Sequence, residues 1–155
     1  MIELDVVGVR VEVSTSTPML LLRESFGKRY LSIWIGANEA AAIVEALEGN
    51  KAPRPQTHDL MAEILKLSGE KVEGIICAVK DGVFYGKLCI GDAALDARPS
   101  DLVALALRAG FKVSCEKRLM DEVGVEVLQT PNDEVERFKE FLDTVTPDDF
   151  EDKKP

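Results

Sequence analysis

Two stretches decide the fold: Gly36-Ala37-Asn38-Glu39-Ala40-Ala41-Ala42-Ile43 and Arg98-Pro99-Ser100-Asp101-Leu102-Val103-Ala104-Leu105. Each sets a short polar residue before an acid and then an apolar run. That order suits the first turn of a helix, where a carboxylate complements the positive end of the dipole. The first helix is expected over residues 37–48, ended by Gly49-Asn50. The second is expected over 99–109, with Pro99 at the first helical position and Gly110 past the end. Working outward, each is preceded by three strand-like segments. Before the first, residues 2–13 alternate, but Ile2, Leu4 and Val6 share one parity and Val7, Val9, Val11 and Val13 the other. The change beside Gly8 predicts a β-bulge. The apolar run 19–22 and the alternation Leu31, Ile33, Ile35 follow. Before the second helix come strands at 72–79 and 83–90, joined by Asp81-Gly82, a type I′ hairpin signal, and a third at 93–97.

Both halves thus read strand–strand–strand–helix. Either the chain is an internal duplication, or two junctions share generic capping chemistry. Between the halves, Lys51 to Pro55 holds two prolines. A helix then opens at Thr57-His58-Asp59 and runs through Leu60, Met61, Ile64, Leu65 and Leu67. After Gly110 come a short strand, a helical turn or two to Val123, and a strand at 125–128. A last amphipathic helix carries Val135, Phe138, Phe141, Leu142 and Val145 on one face. The expected fold class is α/β of the α+β type: one compact domain of duplicated β-β-β-α units, with helices packed on a mixed or antiparallel sheet. Residues 1–130 form the body, and 131–155 the C-terminal helix and acidic tail.

At 155 residues the chain is long enough to bury a core without staples. No run is long and apolar enough for a membrane helix, and the acidic N-terminus is unlike a signal peptide, so a cytoplasmic protein is expected. Cys77, Cys89 and Cys115 are odd in number and lack CxxC spacing. Core packing is the expectation for each. The net charge of −9 argues at first against a partner bound through phosphates. Residues 116–152, however, hold 13 acids and 4 bases, while residues 1–115 are nearly balanced. The excess belongs to the C-terminal segment, which reads as a solubilising cover or a surface for a protein partner rather than part of an active site.

No P-loop, GxGxxG, HExxH, GxSxG or zinc spacing is present. With one histidine, a two-histidine acid–base mechanism within one subunit is excluded. Two polar clusters remain. Arg54-Pro55-Gln56-Thr57-His58-Asp59 gathers a guanidinium, a hydroxyl, an imidazole and a carboxylate at a helix start. It reads as an anion site with a proton-transfer group, or as a capped helix with Thr57 as N-cap and Asp59 facing the dipole. Asp96-Ala97-Arg98-Pro99-Ser100-Asp101 flanks an arginine with two carboxylates. It reads as a divalent-metal and phosphate site, or as a helix start with a local ion pair. Phe84-Tyr85 with Lys87 could stack bases, or divide between strand core and solvent edge.

These motifs, with Gly82-Val83-Phe84-Tyr85-Gly86 between them, resemble the bifunctional nuclease domain family. The resemblance covers roughly residues 1–130, and the C-terminal helix followed by Pro147-Asp148-Asp149-Phe150 is similar to the extension of actinobacterial members. It implies an α/β domain in a duplicated arrangement, a homodimer, and nuclease activity toward both RNA and DNA. The expectation is phosphodiester hydrolysis, preferring single strands and binding nucleic acid weakly. Asp96 and Asp101, with help from Asp59, would hold Mg²⁺ or Mn²⁺. His58 would move the proton, and Arg54, Thr57, Arg98 and Ser100 would hold the substrate. The alternative is a non-catalytic nucleotide- or anion-binding dimeric module.

Overall fold

The computed structural model describes residues 1–126. Strands β1 (Ile2–Glu12), β2 (Thr17–Glu24) and β3 (Arg29–Trp34) form an antiparallel meander followed by helix α1 (Ala37–Glu48). Helix α2 (Thr57–Ser68) follows the proline-containing loop. A second meander, β4 (Val72–Lys80), β5 (Val83–Ile90) and β6 (Ala93–Ala97), leads to helix α3 (Pro99–Ala109). The chain continues through β7 (Lys112–Cys115), α4 (Lys117–Val123) and β8 (Val125–Glu126). The expected amphipathic helix, the body–tail boundary at 130 and the rest of the last strand lie outside the described residues.

All eight strands join one mixed sheet in the order β6-β5-β4-β7-β1-β2-β3-β8. The two meanders lie back to back, with β7 between them, parallel to β4 and antiparallel to β1. The repeat goes deeper than element order. The register of β1 slips between Val6 and Gly8, and that of β4 between Ile76 and Ala78. The bulge therefore falls at the sixth residue of the first strand in each unit. Asp81 and Gly82 both have positive φ (52° and 78°), as a type I′ turn between twisted strands requires.

One face of the sheet carries the core. Leu4, Leu20, Leu22, Leu31, Ile33, Ile76, Leu88, Val113 and Cys115 share it with α1 through Ile43, α2 through Leu65, α4 through Leu119 and Met120, and α3 through most of its length. Burial pushes the Cys115 thiol up to about 11, so it packs as a hydrophobe. Cys77 and Cys89 are only half-buried, unlike the core positions expected for them, and all three are free thiols.

The close approach of α3 depends on two glycines. A Cβ at Gly86 would stand 2.7 Å from Leu102 Cδ1 and 3.0–3.1 Å from the Ala97 and Ile75 carbonyls; one at Gly74 would stand 3.3 Å from Leu102 Cδ2. Two of the Gly86 neighbours are backbone and cannot turn aside. Gly86→Ala is expected to cost about 1–3 kcal/mol by overpacking, read as a lower denaturant midpoint at unchanged slope. Leu102 adjoins Asp101, so Gly86 also sets the height of that carboxylate above the sheet.

Helix α2 forms where the sequence puts it, with most of its apolar side chains outside the core. Leu60, Met61, Ile64 and Leu67 do not face the core but are 41–86% exposed, and only Ala62 and Leu65 are buried. The apolar spacing marked a helix correctly, and α2 packs chiefly against α3. Its outer stripe stays uncovered among the described residues.

Candidate active site

Each of the three long helices carries an acid at its third residue: Glu39 in α1, Asp59 in α2 and Asp101 in α3. The fold brings these first turns together. The His58 ring meets Asp101 with Nε2 2.9 Å from Oδ1. Arg98, the N-cap of α3, donates from Nε to the other oxygen of Asp101 at 2.8 Å, and its Nη2 lies 3.6 Å from Glu39 Oε2. One chain of contacts, His58–Asp101–Arg98–Glu39, thus links the starts of three helices. Anions are favoured where such N-terminal ends meet.

The groups differ in access. The side chains of His58 (18% exposed), Glu39 (19%) and Asp101 (27%) are held in the protein, whereas that of Arg98 is 63% exposed. Asp101, and after it Glu39, raise the Arg98 guanidinium further above its ordinary value, so it stays charged. With both Asp101 oxygens accepting, His58 is oriented through Nε2–H, and Nδ1 is the nitrogen left to take or return a proton.

Asp59 serves another purpose. Its Oδ2 accepts from the Gln56 backbone N–H at 2.9 Å, and its Oδ1 from Arg108 Nε at 2.7 Å. These two bonds, the backbone one foremost, hold its carboxyl below the usual range. Gln56, not Thr57, is the N-cap. Arg108 also donates to the carbonyls of Ala104 (2.8 Å) and Ala42 (2.9 Å). One guanidinium therefore pins α1, α2 and α3 together just behind the His58–Asp101 pair.

Other expected site residues lie elsewhere. Asp96 pairs with Lys87 at 2.8 Å, and both are exposed. The register Lys87↔Asp96 and Gly86↔Ala97 sets Asp96 on the sheet face away from the helices. Only four residues lie between Asp96 and Asp101, but Asp96 faces away from the helices on β6 while Asp101 sits in the first turn of α3. Ser100 is buried at 5% exposed and is not offered to solvent. Arg54 and Thr57 are exposed beside the start of α2. Phe84 packs toward the core, while Tyr85 and Lys87 face the opposite side, so the aromatic pair is split.

The described residues do not assemble the expected metal pair. No group of three or more His, Cys, Asp or Glu side chains stands ready for a metal ion among them. Asp96 is spent on Lys87, and Arg98 supplies the positive charge between Asp101 and Glu39.

The model of the family described as bifunctional nuclease domain matches residues 20–128 of this chain, from β2 to just past β8. The chain belongs to the bifunctional nuclease domain family. Its similarity to two Mycobacterium tuberculosis proteins, Rv1829 and MT1877, is broader. Each is 43% identical over 159 residues, covering 96% of this chain and 97% of its own, and each is described as an uncharacterized protein. That similarity continues beyond residue 128 into the C-terminal segment. In this bifunctional nuclease domain, Glu39 and Arg108 join the site without having been singled out from the sequence. Glu39 had a legible signal, since the repeat aligns it with Asp101.

Proposed function

We propose that this bifunctional nuclease domain hydrolyses phosphodiester bonds in RNA and DNA, preferring single-stranded or loosely structured substrate. The observation that supports it is the convergence of three helix starts on His58, Asp101, Arg98 and Glu39. Arg98, with exposed Arg54, binds the scissile phosphate. His58 Nδ1 takes the proton of the attacking water or hydroxyl as its oxygen bonds to phosphorus and the P–O bond to the leaving sugar oxygen breaks; the imidazolium, stabilised by Asp101, then returns the proton to that oxygen. The near balance of charge over residues 1–115 fits weak binding. Three free thiols and the lack, among the described residues, of a helix long and apolar enough to cross a membrane agree with a cytoplasmic setting. The test is cleavage of RNA and single-stranded DNA by purified protein beside His58→Ala prepared identically. Equal cleavage by both marks a contaminant and overturns the reading.

The homodimer belongs to the same proposal. Leu60, Ile64 and Leu67 follow i, i+4, i+7 spacing with Met61 beside them, a seam a second α2 can match. Two such stripes would remove on the order of 1,000 Å² from water, the lower end for a specific interface. Ile64→Asp is expected to give a monomer in sedimentation equilibrium while keeping its circular dichroism. A monomeric wild type, or a dimer unaffected by the change, removes α2 as the interface.

A further inference from the structure

Helices α1 and α2 both pack on α3 and scarcely on each other, which leaves a cleft between them with α3 as its base. A pocket of about 310 Å³ lies in that cleft. This is the small end of ligand sites, which run from about 300 to 1,000 Å³. The pocket is separate from the site above, since Glu39, His58, Arg98 and Asp101 do not line it. Its walls come from further along the same helices: Gly49 and Asn50 beyond the end of α1, Lys66 in the last turn of α2 and Leu107 in that of α3. The Asp59–Arg108 pair closes the end nearest His58.

The lining carries both signs of charge, and each has capacity to spare. Lys51 pairs with no carboxylate among the described residues. Lys66 meets Glu63 only at 3.6 Å, with both side chains more than half exposed, a pairing worth little. Arg108 donates to one carbonyl from each of Nη1 and Nη2, so each nitrogen keeps a second N–H. Asp59 accepts once on each oxygen, and a carboxylate oxygen has room for two bonds. A bare anion would meet Asp59 and Glu63, and a bare cation would meet the lysines. A ligand that is anionic at one end, with a donor beside an acceptor at the other, satisfies both sets. Ala46, Ala62 and Leu107 supply apolar surface for a flat ring between those ends. We infer that this cleft binds a free nucleoside monophosphate whose base carries an amine next to a ring-nitrogen acceptor, as cytosine and adenine do. Lys51 and Lys66 hold the phosphate at the open rim, Asp59 accepts from the amine, and Arg108 donates to the ring nitrogen. The volume admits one nucleotide and not a strand. The inference does not depend on the cleavage reading, because a phosphomonoester offers no phosphodiester bond to break.

Isothermal titration of the full-length protein with cytidine monophosphate, uridine monophosphate, cytidine and inorganic phosphate tests this. Cytidine monophosphate is expected to bind at one site per chain. Uridine monophosphate presents an oxygen in place of the amine and an N–H in place of the ring acceptor, and should bind at least about tenfold more weakly. Cytidine and inorganic phosphate, each lacking one half of the ligand, should weaken by at least about as much. Lys51→Ala combined with Lys66→Ala should weaken cytidine monophosphate at least about tenfold and leave cytidine unchanged. Ala46→Phe fills the apolar surface from a half-buried position and should abolish binding. If that variant fails to fold, the lysine double variant still decides. Binding that Arg98→Ala removes and the lysine double variant keeps would place the nucleotide at the His58 site and overturn the inference. So would equal binding of the two monophosphates, inorganic phosphate binding as tightly as cytidine monophosphate, tighter binding of a 5′-phosphorylated trinucleotide, or no saturable binding.

Discussion

Cleavage of RNA and single-stranded DNA is expected to fall by about 10²-fold or more in His58→Ala, the usual worth of a positioned proton-transfer group. Alanine removes Nδ1, the nitrogen that Asp101 leaves available, and no second histidine exists to replace it. Asp101→Asn should lose a similar factor for a different reason. The carboxylate accepts from two donors, His58 on one oxygen and Arg98 on the other. An asparagine has one oxygen and one NH₂ group, so it can accept from His58 or from Arg98 but meets the other with a donor. Either the ring loses its orientation or the arginine turns away. The two variants should differ in how they fail. His58→Ala lowers kcat with KM little changed, whereas Asp101→Asn, by releasing Arg98, also raises KM. Cleavage at the wild-type rate by either purified variant would show that the pair does not carry the chemistry.

The largest expected loss of stability follows from Arg108→Ala, about 3 kcal/mol. The Arg108 side chain is only 11% exposed. Its removal takes a second donor from two helix carbonyls that tie α1 to α3 and leaves the Asp59 carboxylate without its cation. Arg108→Met keeps the packing of the stem but not the bonds, and should recover a minor part of the loss. Acid separates the charge from the packing. The Gln56 N–H and Arg108 depress the Asp59 carboxyl, so the stabilisation they give is complete above the unfolded value of about 3.9 and is lost as pH falls through the lower folded value. Below about pH 4 the wild type should therefore lose stability more steeply than Arg108→Ala, in which only the Gln56 bond still favours the ionised form. Parallel acid titrations of the two proteins would contradict this account of Arg108.

Much of this fold could be read because strands announce themselves by parity. The register change at Gly8 and the Asp81-Gly82 turn are local facts, and both appear where the sequence puts them. Convergence of His58 with Asp101 was legible only as chemistry. Each motif named its groups, but 43 residues separate the two, and only the packing of α2 on α3 joins them. Asp96 was misleading because nearness in sequence resembles nearness in space, whereas β6 turns alternate residues to opposite faces. Leu60, Ile64 and Leu67 marked their helix correctly but left its cover unread. An apolar stripe shows that a helix has a side to hide, but not what hides it. Arg108 left no signal, since a cation in the last turn of a helix is common for electrostatic reasons alone.

The place of β7 has a consequence for how the chain is made. Residues 112–115 are the seam between two meanders, pairing with residues 2–4 on one side and 73–76 on the other. During synthesis the first meander emerges and can form its hairpins early, yet its inner edge must wait about a hundred residues for its neighbour. Over that interval β1 and β4 each present an unpaired edge, open to pairing with another nascent chain. Apart from the two-residue β8 at one edge, the last strand to be translated is thus nearly the sheet's middle. Chains released before residue 115 should be the ones that aggregate, while the closing of one four-residue strand completes the sheet's centre.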